Sequence, residues 1–218
     1  MPEGQSSRPR LSRERILAEA IASADENGID ALTIRALASR LGAKPMSLYH
    51  HVDSKESLLD AMVDEVFDRI DVPDPSLPWR EAVRRRCLSA RAVLASHAWS
   101  VPLLESRRHP GPATLRHHDA MLGCLLGGGL SMQLTAHAYA VLDSYVYGFA
   151  IQEANLPVGG EDSPATVAEI AQAIAIDDYP HLARFTIEHA MRPDYRFGDS
   201  FEYGLDVLLD GIAASAVE

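Results

Sequence analysis

The stretch LGAKPMSLYHHVDSKESLL, residues 41–59, decides the fold of this chain because it carries the signals for a turn between short helices. Gly42 can end one helix, and Pro45 is favoured in the first turn of the next. The adjacent His50 and His51 diverge by about 100° on a helix, so they are not placed to hold one metal ion together. The stretch therefore predicts a short helix after a glycine turn, and no metal site.

Helical signals precede this stretch. An apolar face from Ile16 to Ala24 predicts a first helix that begins near Ser12 and ends at Gly28. Thr33 is the expected N-cap of a short second helix over residues 34–40. Two short helices joined by a glycine turn and packed on a longer one form a helix-turn-helix arrangement.

The helices that follow the turn have recognisable starts. A short helix is predicted over residues 45–51 and a longer one over 55–70. Asp53 or Ser54 is expected to cap the longer helix, and the spacing from Asp53 to Glu56 is that of a capping box. The predicted core of this small domain contains Leu37, Leu41, Leu48 and Val52.

The second short helix would present one face to DNA. With Leu48 directed inward, Met46 and His50 point outward, and Ser47 and Tyr49 lie on the flanks. Hydroxyl, imidazole and apolar groups of this kind can contact base edges and thymine methyl groups. His51, by contrast, leans back toward the core and is interpreted as a structural residue.

Basic residues surround this face. Lys44 belongs to the outward set, and Arg35 and Lys55 would flank the duplex and bind phosphate. The N-terminus of the helix at residue 55 adds a positive helix end. The pattern therefore predicts a DNA-binding surface.

The distribution of charge favours the same interpretation. The net charge is −11, but residues 1–55 hold eight basic and seven acidic residues, which leaves −12 for the remainder. Residues 1–10 are rich in Ser, Pro, Arg and Gly and predict a flexible arm. Cys87 and Cys124 lie in apolar helical patterns, and no signal peptide is recognisable, so we expect reduced thiols in a cytoplasmic protein.

The rest of the chain predicts further helices and no strand. After the break at residues 71–78, helices are expected over 78–95, 98–107, 111–127, 131–154, 164–176 and 200–216. Residues 120–142 carry no Asp, Glu, Lys or Arg, but Gly127–Gly129 interrupts them, so two buried helices are expected there and no membrane span. The fold class is all-α, and the loop over 155–164 is expected to gate a ligand pocket.

Residues 16–62 resemble the N-terminal domain of the TetR (tetracycline repressor) family of bacterial transcriptional regulators. The resemblance is carried by Gly28, by the segment LTIRALASRLG and by SLYHHV followed by Lys55. It implies a three-helix helix-turn-helix domain over 11–56, and a larger effector-binding and dimerisation domain over 57–218. By this resemblance the family's DNA-contacting positions fall on Thr33, Arg35, Ser47, Tyr49, His50 and Lys55.

Residues 93–153 are similar in layout to the C-terminal domain of the tetracycline repressors themselves. Asp71 and Leu103–Leu104 stand where those repressors carry magnesium-pocket histidines. The resemblance therefore does not extend to a tetracycline–magnesium ligand, and no metal, cofactor or catalytic residue is expected.

A small, mostly hydrophobic effector is expected inside the larger domain, because its helices carry many apolar and aromatic residues and few charges. The predicted pocket residues are Leu103, Leu104, His117, Met121, Leu125, His137, Tyr139, Leu142, Asp143, Tyr145 and Phe149. The arginine runs 84–86 and 107–108 are interpreted as solvated faces, or as a rim for an acidic effector.

The helix over 131–154 has small residues along one sector and large ones along another. The small sector is interpreted as a contact with a second subunit, and by family resemblance the last helix joins it in a four-helix interface. Glu202, Asp206 and Asp210 are expected to form a solvated stripe on that last helix. The predicted dimer residues are Ala136, Ala140, Ser144, Gly148, Leu205, Leu208, Leu209 and Ile212.

These observations predict a repressor that binds a palindromic double-stranded operator as a homodimer and is released by its effector. An alternative is a ligand-independent DNA-binding or architectural regulator, for which a sealed body without a cavity would be expected. An all-α enzyme is disfavoured because the chain contains no Glu-x-x-His motif of the kind that holds a di-metal centre.

Overall fold

The computed structural model describes residues 10–106, 110–156, 178–192 and 194–216. All regular elements in these ranges are helices, which confirms the predicted all-α class. None of the described helices is long and apolar enough to cross a membrane. The predicted arm, apart from Arg10, and the predicted helix over 164–176 lie outside the described residues, as does most of the predicted gating loop.

The chain divides into two compact units. The N-terminal unit comprises the described parts of residues 1–70 and 96–119, and the C-terminal unit those of 71–95 and 120–218. The predicted boundary at residues 56–57 separates a DNA-binding domain from an effector-binding and dimerisation domain. This functional division stays a prediction.

The N-terminal unit begins with the expected helix-turn-helix elements. They are α1 (Arg13–Asn27), a 3-10 turn (Ile29–Ala31), α2 (Ile34–Leu41), α3 (Pro45–Leu48) and α4 (Lys55–Asp68). The unit also contains α6 (Ser100–Ser106) and the first half of α7 (Pro112–Gly127). Of the predicted core residues Leu37, Leu48 and Val52 are buried, and Leu41 is half-buried.

The remaining helices belong to the C-terminal unit. They are α5 (Trp79–Ser96), α8 (Met132–Asn155), α9 (Pro180–Phe185) with a following π-helical turn (Thr186–Ala190), a 3-10 turn (Phe197–Asp199) and α10 (Ser200–Ser215). α9 was not predicted from the sequence, because it begins at a proline and is only 6 residues long.

The prediction that α3 reaches His51 is wrong, because the helix ends at Leu48. The Leu48 carbonyl accepts hydrogen bonds from the backbone N–H groups of His51 (2.8 Å) and Val52 (3.0 Å). This tight turn returns Val52 to the core. Tyr49 and His50 therefore lie on a turn after the helix rather than on its last residues.

Hydrogen bonds tie the helix-turn-helix elements α1–α4, called the reading head below, to the segment that leads into α6. The Asp25 carboxylate on α1 accepts from the indole N–H of Trp99 (2.6 Å) and lies 2.8 Å from His97 Nδ1. Arg69 Nη1 lies 3.0 Å from the other ring nitrogen of His97. Since a guanidinium only donates, that nitrogen accepts, and His97 donates from Nδ1 to Asp25.

Asp64 on α4 caps α7 from outside. Its carboxylate accepts from the backbone N–H groups of Ala113 (3.1 Å) and Thr114 (2.9 Å), which have no partner within the helix. A Cβ at Gly111 would collide with this carboxylate, so the glycine is required for the close approach. The start of α7 is thereby fixed to α4, which continues directly from the reading head.

In the C-terminal unit, ion pairs join α5 to α10. Arg84 binds Asp206 (2.9 Å) and Glu202 (2.7 Å), and Arg80 binds Asp210 (2.5 Å). Glu202 and Asp210 are exposed and Asp206 is half-buried, which confirms the predicted solvated acidic stripe, and each carboxylate also pairs with an arginine of α5. The hydrogen bonds from Arg84 hold the pKa of Asp206 below its usual range.

Aromatic packing joins α8 to α10. The ring of Tyr145 stacks on Phe201 at 5.2 Å between centroids, and Phe149 meets Phe201 edge-on at 5.0 Å. The Tyr145 hydroxyl donates to the Phe201 carbonyl (2.9 Å). A side chain at Gly204 would collide with this hydroxyl, which explains a glycine inside α10.

Candidate nucleic-acid interface and effector unit

The turn between α2 and α3 is built from the predicted caps. The Thr33 hydroxyl accepts from the Ala36 N–H (3.1 Å) at the start of α2. Gly42 ends α2 with φ +64°, a left-handed conformation that L side chains adopt at a cost. The Ala43 N–H donates to the Ala38 carbonyl (2.9 Å), and Pro45 begins α3 as expected. These local bonds fix the angle between the two short helices.

The face predicted to read DNA is open to solvent. Met46 is 71% exposed and Tyr49 45%, and both are large side chains that a folded domain normally covers. Lys44 and His50 are exposed, and Ser47 is half-buried beside them. The turn after Leu48 thus leaves the predicted base-contacting groups on one side and the buried leucine on the other.

The flanking residues predicted to bind phosphate are accessible to solvent to different degrees. Arg35 is exposed in the first turn of α2, and Lys55, half-buried, is the first residue of α4. Thr33 is exposed, although its hydroxyl already caps α2. Arg40 is held differently, because its guanidinium binds Glu19 (2.5 Å) and Glu26 (2.7 Å) on α1 and fastens α2 to α1.

Of the two predicted caps of α4, Ser54 is confirmed, whereas the predicted Asp53–Glu56 capping box is wrong by one residue. Ser54 is the N-cap, and its hydroxyl accepts from the Ser57 N–H (3.1 Å), while the Ser57 hydroxyl accepts from the Ser54 N–H (3.0 Å). Ser satisfies the reciprocal bond in place of the usual Glu or Gln. Asp53 stays exposed and adds a negative charge near the reading face.

The predicted effector residues have different environments. Met121, Leu125, Leu142, His117 and Phe149 are buried. Leu103, Leu104, Tyr139 and Tyr145 are half-buried, and Tyr145 is held by its bond to the Phe201 carbonyl. His137 is exposed, because its position on α8 directs the side chain to solvent. It therefore does not lie in the interior, where the predicted pocket would be.

A cavity of about 550 Å³ in the C-terminal unit was not predicted. Its wall on one side is the connector before α5, and on the other the small residues near the end of α7. No predicted effector residue lines it. It is lined by Pro73, Pro75, Leu77, Pro78, Trp79, Ala120, Gly123, Cys124, Gly127 and Gly128.

Arg86 is a buried charged residue of this unit that was not predicted from the sequence. It is 2% exposed, and its Nη1 lies 3.4 Å from Oδ1 of Asp143, a predicted pocket residue that is itself buried. The interpretation of the whole 84–86 run as solvated is therefore wrong for Arg86. A signal was present in the sequence, since Arg86 shares a helical face with Val83, Ala90 and Leu94.

The described residues contain no group of three or more His, Cys, Asp or Glu side chains arranged to hold a metal ion. Burial raises the pKa of the Cys87 thiol to about 11. The thiol is therefore protonated at neutral pH and packs as a small apolar group.

The small-residue sector of α8 is open, as a partner surface would be in a single subunit. Ala136, Ala140 and Ser144 are exposed, and Gly148 is half-buried. On α10 the structure differs from the prediction. Leu205, Leu209 and Ile212 are buried inside the protomer and Leu208 is half-buried, whereas Tyr203 and Val207 are 77% and 53% exposed. The outward apolar residues of α10 are thus Tyr203 and Val207.

Two short helices at a glycine turn, packed on α1 and exposing a face beside basic residues, define a helix-turn-helix DNA-binding protein. Comparison with known proteins gives its family. Residues 16–62 match the bacterial regulatory proteins of the tetR family, and residues 72–216 match the tetracyclin repressor-like C-terminal domain. The chain belongs to the TetR family of bacterial regulatory proteins.

Relatives of similar length support this assignment. An HTH-type transcriptional regulator of Saccharopolyspora erythraea is 31% identical, over 99% of this chain and 90% of its own length. The HTH-type transcriptional repressor DrrR1 of Streptomyces coeruleorubidus is 30% identical, over 94% and 78%. The crystal structure of the TetR family protein ActR of Streptomyces coelicolor with actinorhodin superposes with a TM-score of 0.74 at 27% identity, covering 96% of this chain and 100% of that one.

Proposed function

We propose that this protein is a transcriptional repressor that binds an inverted-repeat operator as a homodimer and is released by a small, mostly apolar effector. The observation that carries the proposal is the exposed face of α3 and its following turn, with Met46 and Tyr49 open and basic residues at both ends. Thr33, Arg35, Lys44, Met46, Ser47, Tyr49, His50 and Lys55 are the proposed DNA contacts.

Dimerisation follows from how little one reading head can recognise. A single short element contacts few base pairs, so two heads on one operator supply the specificity and the affinity. The open sector of α8 and the outward residues Tyr203 and Val207 of α10 offer apolar area for the second subunit. We place the protein in the cytoplasm, where it meets chromosomal DNA, and assign it no catalytic activity.

Repression is supported by one relative and binding of a small molecule by another. DrrR1 is described as a repressor, and ActR binds actinorhodin in its crystal structure. Of the predicted pocket residues, Met121, Leu125 and Leu142 provide an apolar interior in the C-terminal unit, and Asp143 adds a buried polar group there. We propose that the dimer has one arrangement that fits the operator and another that does not. An effector lowers the affinity for DNA only to the extent that it binds the second arrangement more tightly than the first.

The test begins with an operator selected from random DNA by the purified protein. Hydrophobic metabolites and antibiotics are then screened for a rise in melting temperature together with loss of operator binding. A hundredfold loss of operator affinity corresponds to about 2.7 kcal/mol of coupling. If the protein binds DNA tightly but no compound both raises the melting temperature and abolishes operator binding, the ligand-independent regulator replaces this proposal.

A further inference from the structure

The three consecutive arginines of α5 have three different environments. Arg84 pairs with acids of α10, and Arg85 is exposed and pairs with Glu81 one turn earlier (2.7 Å). Arg86 alone points into the C-terminal unit, where it is 2% exposed. A buried guanidinium keeps its charge, since its pKa lies far above neutral pH, so it must find acceptors inside the protein.

The acceptors found leave one donor of the guanidinium unpaired. Oδ1 of Asp143 lies 3.4 Å from Nη1, the long end of the range for a charged hydrogen bond, and the side chain of Tyr147 is a further hydrogen-bonding neighbour. The Nε–H is buried and has no acceptor among the described residues. Leaving a buried charged donor unpaired destabilises a fold by about 1–3 kcal/mol or more, so such a group calls for a bound water, an ion or a ligand.

We propose that the effector carries one acidic group, such as a carboxylate or an ionised phenol, on an otherwise apolar body, and that the Nε edge of Arg86 binds it. This inference rests on the proposed function and names the chemistry of its effector. Folding has already removed the guanidinium from water, so an anion gains a charged hydrogen bond without that cost. The apolar remainder of the ligand would be accommodated by buried side chains such as Leu142.

Asp143 is then a competitor as well as a partner. Its carboxylate holds Arg86 from α8, the helix that also bears the open dimer sector. An acidic ligand must share the guanidinium with this carboxylate and meets its negative charge. Removing that charge should therefore strengthen the binding of an acid and leave a neutral ligand unaffected.

The experiment compares 2-naphthoate with its neutral amide, which have the same shape and differ in charge. Binding to the wild-type dimer is measured by calorimetry and by the shift in melting temperature. We expect the acid to bind about tenfold more tightly or better, the value of one charged hydrogen bond. R86Q should abolish the difference, D143N should increase it, and R85Q, on the exposed neighbour, should leave it unchanged.

A double variant guards against a folding defect. Replacing a buried ion pair by apolar residues is often neutral or stabilising, so R86M/D143L should fold and bind operator but lose the preference for the acid. Retention of the preference by R86Q or by the double variant overturns the proposal. So does equal or undetectable binding of acid and amide to the wild type, which would leave a bound water as the partner of Nε. If neutral compounds release the operator and acidic ones do not, this inference is overturned, but the proposed effector-released repressor stands.

Discussion

At the scale of single residues, we expect the face formed by α3 and its following turn to contain side chains that select bases, flanked by side chains that bind phosphate. His50 is exposed on the turn after α3, where its imidazole can reach a base edge. We expect H50A to change sequence preference, with a loss of about 1–3 kcal/mol confined to the preferred bases. Fluorescence anisotropy measures the affinity of H50A and of the wild type for a set of operators that each carry one base substitution. A uniform loss on all sequences would assign His50 to the backbone instead.

Arg35 and Lys55 should behave differently from His50. R35A and K55A should each weaken binding to every sequence and reduce the slope of log affinity against log salt by about one unit. R85A, which removes an exposed arginine from α5, is the matched control and should leave the slope unchanged. Unaltered affinity and salt dependence in both variants would mean that the phosphate contacts lie elsewhere.

The two cysteines should differ in reactivity for a related reason. Burial raises the pKa of the Cys87 thiol to about 11, and it also raises that of Cys124, which is only half-buried. The thiolate is the reactive form, so iodoacetamide at pH 8 should modify Cys124 slowly and Cys87 not at all in the native protein. Mass spectrometry of the peptides gives the extents, with C124S as control and urea-unfolded protein as the reference for full labelling. Modification of native Cys87 would show that the core around α5 opens.

At the scale of elements, the caps determine where the reading helices begin. The Thr33 hydroxyl bonds the Ala36 N–H, and T33A should lower stability by about 0.5–2 kcal/mol. S39A, on the exposed side of the same helix, is the control. Urea denaturation of both variants measures the difference. Equal stabilities would show that solvent replaces the capping bond.

The ion pairs between α5 and α10 should make stability depend on pH. The pKa of Asp206 is lowered by its hydrogen bonds to Arg84, so its contribution is present above the unfolded value near 3.8 and is lost as pH falls through the folded one. We expect D206N to lower Tm by about 1–3 °C at pH 7, since exposed pairs contribute at most about 1 kcal/mol. The variant and the wild type should converge once the pH falls below the folded-state pKa of Asp206, which lies below 3.8. A difference that persists there would have a cause other than charge.

At the scale of the whole molecule, the prediction concerns assembly. A140E and G148E place a charge in the open sector of α8 and should yield monomers or insoluble protein, because a buried unpaired charge opposes association. The soluble monomer should bind operator at least a hundredfold more weakly, since one head reads too few base pairs. Analytical ultracentrifugation at micromolar concentration measures the state, with A18E on the exposed side of α1 as control. A wild-type monomer that binds operator tightly would falsify the dimer.

The sequence by itself determined the features of this protein that depend on local interactions. The cap at Thr33, the left-handed Gly42, the proline at the start of α3 and the inward Leu48 are set by hydrogen bonds and apolar spacing within a few residues. Those signals, together with the family pattern over residues 16–62, identify the helix-turn-helix and its exposed face. They do so because the reading head is small and each of its helices has one apolar side.

Only the tertiary structure decided how the longer helices are rotated about their axes. α8 and α10 carry apolar residues on most sides, so spacing could not tell that Leu205 and Leu209 face the protomer while Tyr203 and Val207 face outward. The acids of α10 became ion-pair partners because α5 lies alongside. Arg86 became buried because its position falls on the apolar face of α5, where packing of that face outweighs the preference of a charge for water.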